Sequence, residues 1–233
     1  MNGMLMNMPF MLALTLGAYL LGVWVKKKSG MALLHPFLIS IPVVFAVLKI
    51  ADIPSQFYLE SNKLVDFLLG PCVVSLGLLL YDHRVIIKKN LIGILSSVFV
   101  GSVTGVASVY MLCRVFRLDD LFILSMEPKS VTSPIAMDIS ALLGGDLSLT
   151  VVSVVVCGFV GACIGPVIVR AVRFRSPISK GLAMGASSHG LGTARAIEMG
   201  AVEGAASGLA IALMGVMTAF VVPIFNLVVG LCK

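Results

Sequence analysis

Charge is scarce in this chain. Asp, Glu, Lys and Arg together make up 12% of its 233 residues, about half the 25% typical of a soluble domain. That excludes a globule whose whole surface faces water. Cysteine is present but unpatterned. Cys72, Cys113, Cys157, Cys163 and Cys232 lie in or beside apolar segments, with no C-x-x-C and no His/Cys cluster at metal spacing. A disulfide framework, a metal site and a bound cofactor are therefore not expected, and the thiols read as small packing residues. Catalytic signatures are missing too: there is no G-x-S-x-G elbow, no H-E-x-x-H and no P-loop. Ser188 and His189 are adjacent, and neighbours on a helix do not face each other, so they make a poor nucleophile–base pair. An enzyme is not expected. No charged residue precedes Met8, so the first apolar stretch reads as a retained span rather than a cleaved leader.

What is abundant is hydrocarbon. Residues of the AVILMFWYC set make up 59% of the chain and the mean hydropathy is +1.08. This predicts an all-α integral membrane protein, a multi-pass helix bundle forming one domain over 1–233. At roughly 20 residues per crossing the length holds about seven or eight segments. Uninterrupted spans are predicted near Met8–Val25, Met31–Leu48, Val65–Tyr81, Leu91–Cys113, Thr150–Val169 and Ala205–Leu231. The net charge of +6 does not point to nucleic acid. Ten of the 17 basic residues fall in three short loops, Lys26–Lys28, Arg84–Lys89 and Arg170–Lys180. Each loop abuts an apolar run, the placement that orients membrane proteins. Trp24 and Tyr81 sit beside these loops as interfacial aromatics. His35 and His83, isolated near span ends, read as structural or solvated.

Two stretches are not simple spans. Leu118–Leu143 is cut by Pro128-Lys129-Ser130-Val131-Thr132-Ser133-Pro134, and Pro177–Gly200 by Ser187-Ser188-His189-Gly190-Leu191-Gly192-Thr193. Both cuts fall near mid-segment, which predicts two discontinuous or re-entrant segments. If Leu118–Leu143 enters and leaves on one face, all three basic loops share a side, as the positive-inside bias prefers. A full crossing would place the most basic loop outside. Small residues four apart (Gly101 and Gly105; Gly161 and Gly165; Gly181 and Gly185; Gly200, Gly204 and Gly208) predict close helix packing.

Irregular backbone at membrane depth is tolerated only where protein or a water-filled cavity satisfies it, so two such breaks argue for a shared polar cavity. Ser133 before Pro134 reads as an N-cap, and Thr193 as the cap of a second half-helix beyond Gly190 and Gly192. Helix N-termini of this kind bind anions. Lys129 and Arg195 are the candidate cations for a carboxylate, with Ser130, Thr132, Ser133, Ser188 and freed N–H groups as donors. His189, Asp138 or Glu198 would carry a coupling proton. The plainer alternatives are salt bridges of Lys129 or Arg195 with Glu127, Asp138 or Glu198, and a core role for His189. Glu127 and Glu203 read as interfacial.

The stretches Pro128–Met137 and Ser188–Ala196, with Leu69-Gly70-Pro71 and the following Val73–Tyr81, resemble the signature segments of the LrgB/CidB family. Ser133 and Leu191 stand where threonine and isoleucine are more usual there. The resemblance implies a bacterial plasma (inner) membrane protein with one of two functions. One is transport of small monocarboxylates such as pyruvate, glycolate or glycerate. The other is an antiholin-like control of murein hydrolase export and cell lysis. It also implies a separate small membrane partner of the LrgA/CidA type; a homo-oligomer is compatible with this reading. Midplane cations and paired helix breaks suit a carrier of carboxylates better than a protein that only packs against a partner.

Overall fold

The computed structural model of the protein describes residues 7–29, 36–82 and 84–231, the side chains at 66, 69, 70, 72, 73, 76, 77, 79, 80 and 86 excepted. His35, His83, Cys232, the start of the second predicted span at Met31, and the side chains of Leu69, Gly70 and Cys72 lie outside the described residues. The described regular structure is all helical. Four helices are long and apolar enough to cross a bilayer: α1 (Met8–Ser29), α6 (Leu91–Val115), α9 (Leu147–Ala171) and α11 (Ala201–Val228). Each corresponds to a span predicted from hydropathy, the last ending three residues earlier than predicted. Between them lie α2 (Pro36–Ile50), α3 (Ser55–Ser61), α4 (Lys63–Asp82), α5 (Arg84–Lys89), α7 (Asp120–Met126), a 3-10 turn (Glu127–Ser130), α8 (Ser133–Leu143) and α10 (Pro177–Met199).

Contacts divide the chain into two compact units, Met1–Ser75 and Leu76–Lys233. In the first, α1 and α2 pair closely because Gly22 has no Cβ, whose place would lie 2.8 Å from the Pro36 Cα. Tyr19 and Phe37 meet edge to face at 5.9 Å. Thr15 Oγ1 donates to Asn62 Oδ1 and shares a hydrogen bond with the Tyr58 hydroxyl, each at 2.8 Å.

In the second unit α6 and α11 run parallel, joined at mid-length by a 3.1 Å bond between the Ser102 and Thr218 hydroxyls. Ile94 and Val98 pack with Ala210 and Met214 toward one end. Val109 and Cys113 pack with Leu231 at the other. This pair is a ruler for the segment between α6 and α9. Ile123 lies at the Cys113–Leu231 end, Val131 and Ala136 reach the Val98–Met214 level, and Ile139 is back beside Val106 and Val222. The chain therefore reverses at the 3-10 turn. The backbone N–H of Asp146 donates to Ser125 Oγ at 2.8 Å, whereas a continuous helix would hold residues 125 and 146 about 30 Å apart. Gly144, in the left-handed region at φ 80, ends α8. Asp146 then caps α9 by accepting from the Leu149 N–H at 2.7 Å.

The second interrupted stretch also folds back. The helix α10 is broken at Ser188 and His189, the latter with φ 40 and ψ −127. A Cβ on Gly192 would collide with the Met184 carbonyl, although eight residues of straight helix span about 12 Å. Met184, Ala196 and Met199 pack in one cluster with Val169 of α9. The two hairpins enter from opposite ends of α9, the first from its Leu147 end and the second from its Ala171 end.

Two local expectations are corrected. The N-cap of α8 is Thr132, in extended backbone at ψ 150, and Ser133 already lies in the helix. Pro134 is accommodated there because first-turn N–H groups have no intrahelical partner to lose. Thr193 caps nothing: the break lies four residues earlier, and its hydroxyl bonds the Ser207 hydroxyl of α11 at 2.7 Å. The irregular residue is His189 rather than Gly190 or Gly192, because its ring is anchored elsewhere, as described next.

Candidate functional site

The two hairpin tips meet beside the middle of α9. A cavity of about 580 Å³ opens between them, lined by Lys129 and Ser130 of the first tip, Ser187 of the second, Cys157 of α9, and Gly101 and Gly105 of α6. Lys129 is half-buried and its Nζ donates to Ser130 Oγ at 3.3 Å. Among the described residues the ion pairs are Arg114–Asp120 and Arg195–Glu198, so Lys129 has no carboxylate partner among them. A half-buried ammonium without a counter-ion beside hydroxyl groups can accept an anion's charge and orient it.

Packing explains how the second tip is held. Gly161 of α9 leaves room for Ser188, and Gly158 for the His189 ring, whose Cε1 would lie 2.5 Å from an added Cβ. His189 is buried and its Nε2–H donates to the Val154 carbonyl at 3.1 Å. Cys157 Sγ donates to the Ser187 carbonyl at 3.3 Å, and the Ser187 and Ser188 hydroxyls bond each other at 2.9 Å. The region around φ 40, ψ −127 is one that glycine enters far more easily than other residues. His189→Gly is therefore expected to melt higher than His189→Ala by about 1 kcal/mol of stability. Detergent-solubilised thermal unfolding of the two variants measures the difference. A continuous helix would give the opposite order.

The remaining predicted residues are dispersed. Thr132 and Ser133 start α8 without lining the cavity, and Ser188 is buried behind Ser187. Gly190 is exposed, Gly192 is buried against Met184, and Asp138 is exposed on α8. The return limb of the second hairpin carries Arg195 away from Lys129. It pairs with Glu198 and lines a separate recess of about 350 Å³ with Arg170, Lys180 and Glu203. Glu127, read from sequence as near the interface, is buried inside the protein at 2% exposure. Sequence reasoning read Gly101, Gly105 and Cys157 as packing residues, yet they line the cavity. The four-residue glycine spacing was visible but does not distinguish a helix contact from a cavity wall.

These features define a class: a multi-pass helical membrane protein with two opposed hairpins whose polar tips enclose one cation. The chain belongs to the LrgB-like family, whose model matches residues 15–227. It is 36% identical over 211 residues to the uncharacterized protein YxaC of Bacillus subtilis (strain 168), covering 91% of this chain and 92% of that one. It is 32% identical over 226 residues to the antiholin-like protein LrgB of the same organism, covering 97% and 98%. A further antiholin-like protein LrgB, from Bacillus mycoides (strain KBAB4), is 32% identical over 222 residues, covering 95% and 96%. No solved structure matches the chain.

Proposed function

We propose that this protein is a single membrane domain that carries small monocarboxylates across a bacterial plasma membrane, the anion being held between the two hairpin tips. The observation behind this reading is the cavity at mid-length of α9, where the unpaired Lys129 faces Ser130 and Ser187. Burying an ammonium without a counter-ion is costly, and a carboxylate would neutralise it. Both hairpins are read as re-entrant, dipping to bilayer depth and returning, the arrangement that lets irregular backbone line a cavity. Arg195 and Arg170 then belong to the mouth of the path rather than to its centre.

A second reading has its own support. The relatives with functional names are called antiholin-like, and none of those names mentions a transported substrate. They favour the antiholin-like reading, in which this chain would regulate murein hydrolase export through a small LrgA/CidA-type partner. Flux separates the two. Purified protein in liposomes, with and without such a partner, should show saturable uptake of labelled pyruvate or glycolate. Non-saturable leakage of unrelated solutes, or no flux of any kind, would instead support the antiholin-like reading.

The re-entrant topology makes its own prediction. Lys88, Lys89, Ser176 and Ser179 line one recess, so their loops lie on one side. In a cysteine-free background, single cysteines at Lys89 and Ser176 should react with an impermeant maleimide from the cytoplasmic side. One at Asp119 should react from the other. Opposite labelling of the Lys89 and Ser176 sites would sink the topology.

A further inference from the structure

The carboxyl group of Glu127 occupies an unusual position. It lies on the 3-10 turn two residues before Lys129, but on the buried side. Its Oε2 accepts a hydrogen bond from Asn226 Nδ2 of α11, which also donates to the Val222 carbonyl at 2.9 Å. Glu127 is 2% exposed and Asn226 0%. Glu127 Oε1 and Asn226 Oδ1 are both buried with no hydrogen-bond partner. Both of these atoms are acceptors when the carboxyl is ionised, and an orphaned buried acceptor is costly.

Among the described residues no cation answers this carboxylate. On α6 the facing titratable group is the Cys113 thiol. The neighbouring Arg114 pairs with Asp120 of α7 at 2.9 Å and stacks on Tyr110 at 5.2 Å. Asp138 of α8 is exposed and His189 of α10 is bonded to Val154. Arg170 of α9, Lys180, Arg195 and Glu198 of α10 and Glu203 of α11 all line the recess at the far end. Lys129 itself bonds Ser130. One atom satisfies both orphans without any charge: a hydrogen on Glu127 Oε1 donated to Asn226 Oδ1, closing a reciprocal acid–amide pair.

We propose that Glu127 and Asn226 form a buried, exchangeable proton site whose occupancy pins the first hairpin against α11. With the proton bound, the pair is neutral and the 3-10 turn stays docked. When the proton passes to water, an unpaired carboxylate remains in an apolar seat, and the turn is driven to undock. Lys129 sits on the same turn, so the cavity's cation moves with it. The purpose of this site rests on the carrier reading, as the coupling step of that transport. The site itself can be tested without any flux.

Infrared spectra of the whole protein in liposomes, exchanged into heavy water, should contain a protonated-carboxyl C=O band at neutral pH. The band should vanish in Glu127→Gln and shift in Asn226→Ala, where the carbonyl loses its donor. A spectrum without the band, or a band indifferent to both substitutions, overturns the proposal. The second measurement is of the hairpin. A cysteine replacing Ser130 should react with maleimide faster as pH rises, beyond the rise seen when Glu127→Gln is also present. Glu127→Gln is isosteric and uncharged, and it supplies the missing donor, so it should stay folded. Equal pH profiles in the two backgrounds overturn the pinning role. Failure of pyruvate or glycolate flux in the unsubstituted protein, with these spectra as expected, would instead count against the carrier reading alone.

Discussion

Lys129→Ala is expected to lower apparent affinity for a small monocarboxylate on the order of 10- to 100-fold, the range set by losing a hydrogen bond to a charged group. The side chain lines the cavity between the hairpin tips and has no carboxylate partner among the described residues. Removing it therefore takes charge from the site without orphaning an internal carboxylate, and the fold should persist. Lys129→Arg should retain part of the affinity, because charge survives while the hydrogen-bond geometry changes. Arg195→Ala should behave differently. Arg195 pairs with Glu198 about a third exposed, in a separate recess, so its loss should change uptake less than that of Lys129. Concentration-dependent uptake into liposomes measures all three. An affinity unchanged in Lys129→Ala, or a larger loss in Arg195→Ala, would remove Lys129 from the centre of the site.

That contrast also shows where sequence reasoning stopped. Hydropathy located α1, α6, α9 and α11 because a membrane span is a property of one continuous segment. The two interruptions were equally visible, since proline and clustered serine break a run wherever it lies. What a run cannot show is the direction in which the chain leaves the break. Residues one and two turns past His189 would stay near the tip in a kinked crossing. In the hairpin they travel back to Lys180 and Arg170. The return is fixed by distant contacts, Asp146 on Ser125 in the first hairpin and Thr193 on Ser207 in the second. Glu127 meets the same limit: its partner Asn226 lies 99 residues away in an otherwise apolar helix. Only packing shows that the 3-10 turn places Lys129 at the cavity and Glu127 in the core.

Gly192→Ala carries the other large effect, and its sign decides whether the second interruption is a hairpin at all. In a continuous exposed helix, replacing glycine by alanine stabilises by about 1 kcal/mol. Here the Gly192 Cα faces the outgoing limb, and an added Cβ would strike the Met184 carbonyl, with the Met184 carbonyl carbon only 3.0 Å away. Backbone cannot step aside as a flexible side chain can, so the substitution should destabilise by about 1–3 kcal/mol, the usual cost of overpacking. Gly190 provides the internal control: nothing lies within 4 Å of its added Cβ, so Gly190→Ala should be neutral or stabilising on the same limb. Thermal unfolding of the two variants in detergent compares them directly. If the limbs part during transport, Gly192→Ala should also shift maleimide labelling at position 187, on the tip, by favouring the separated arrangement. A stabilised Gly192→Ala protein would mean that the limbs do not touch, and the cavity between the tips would lose one of its walls.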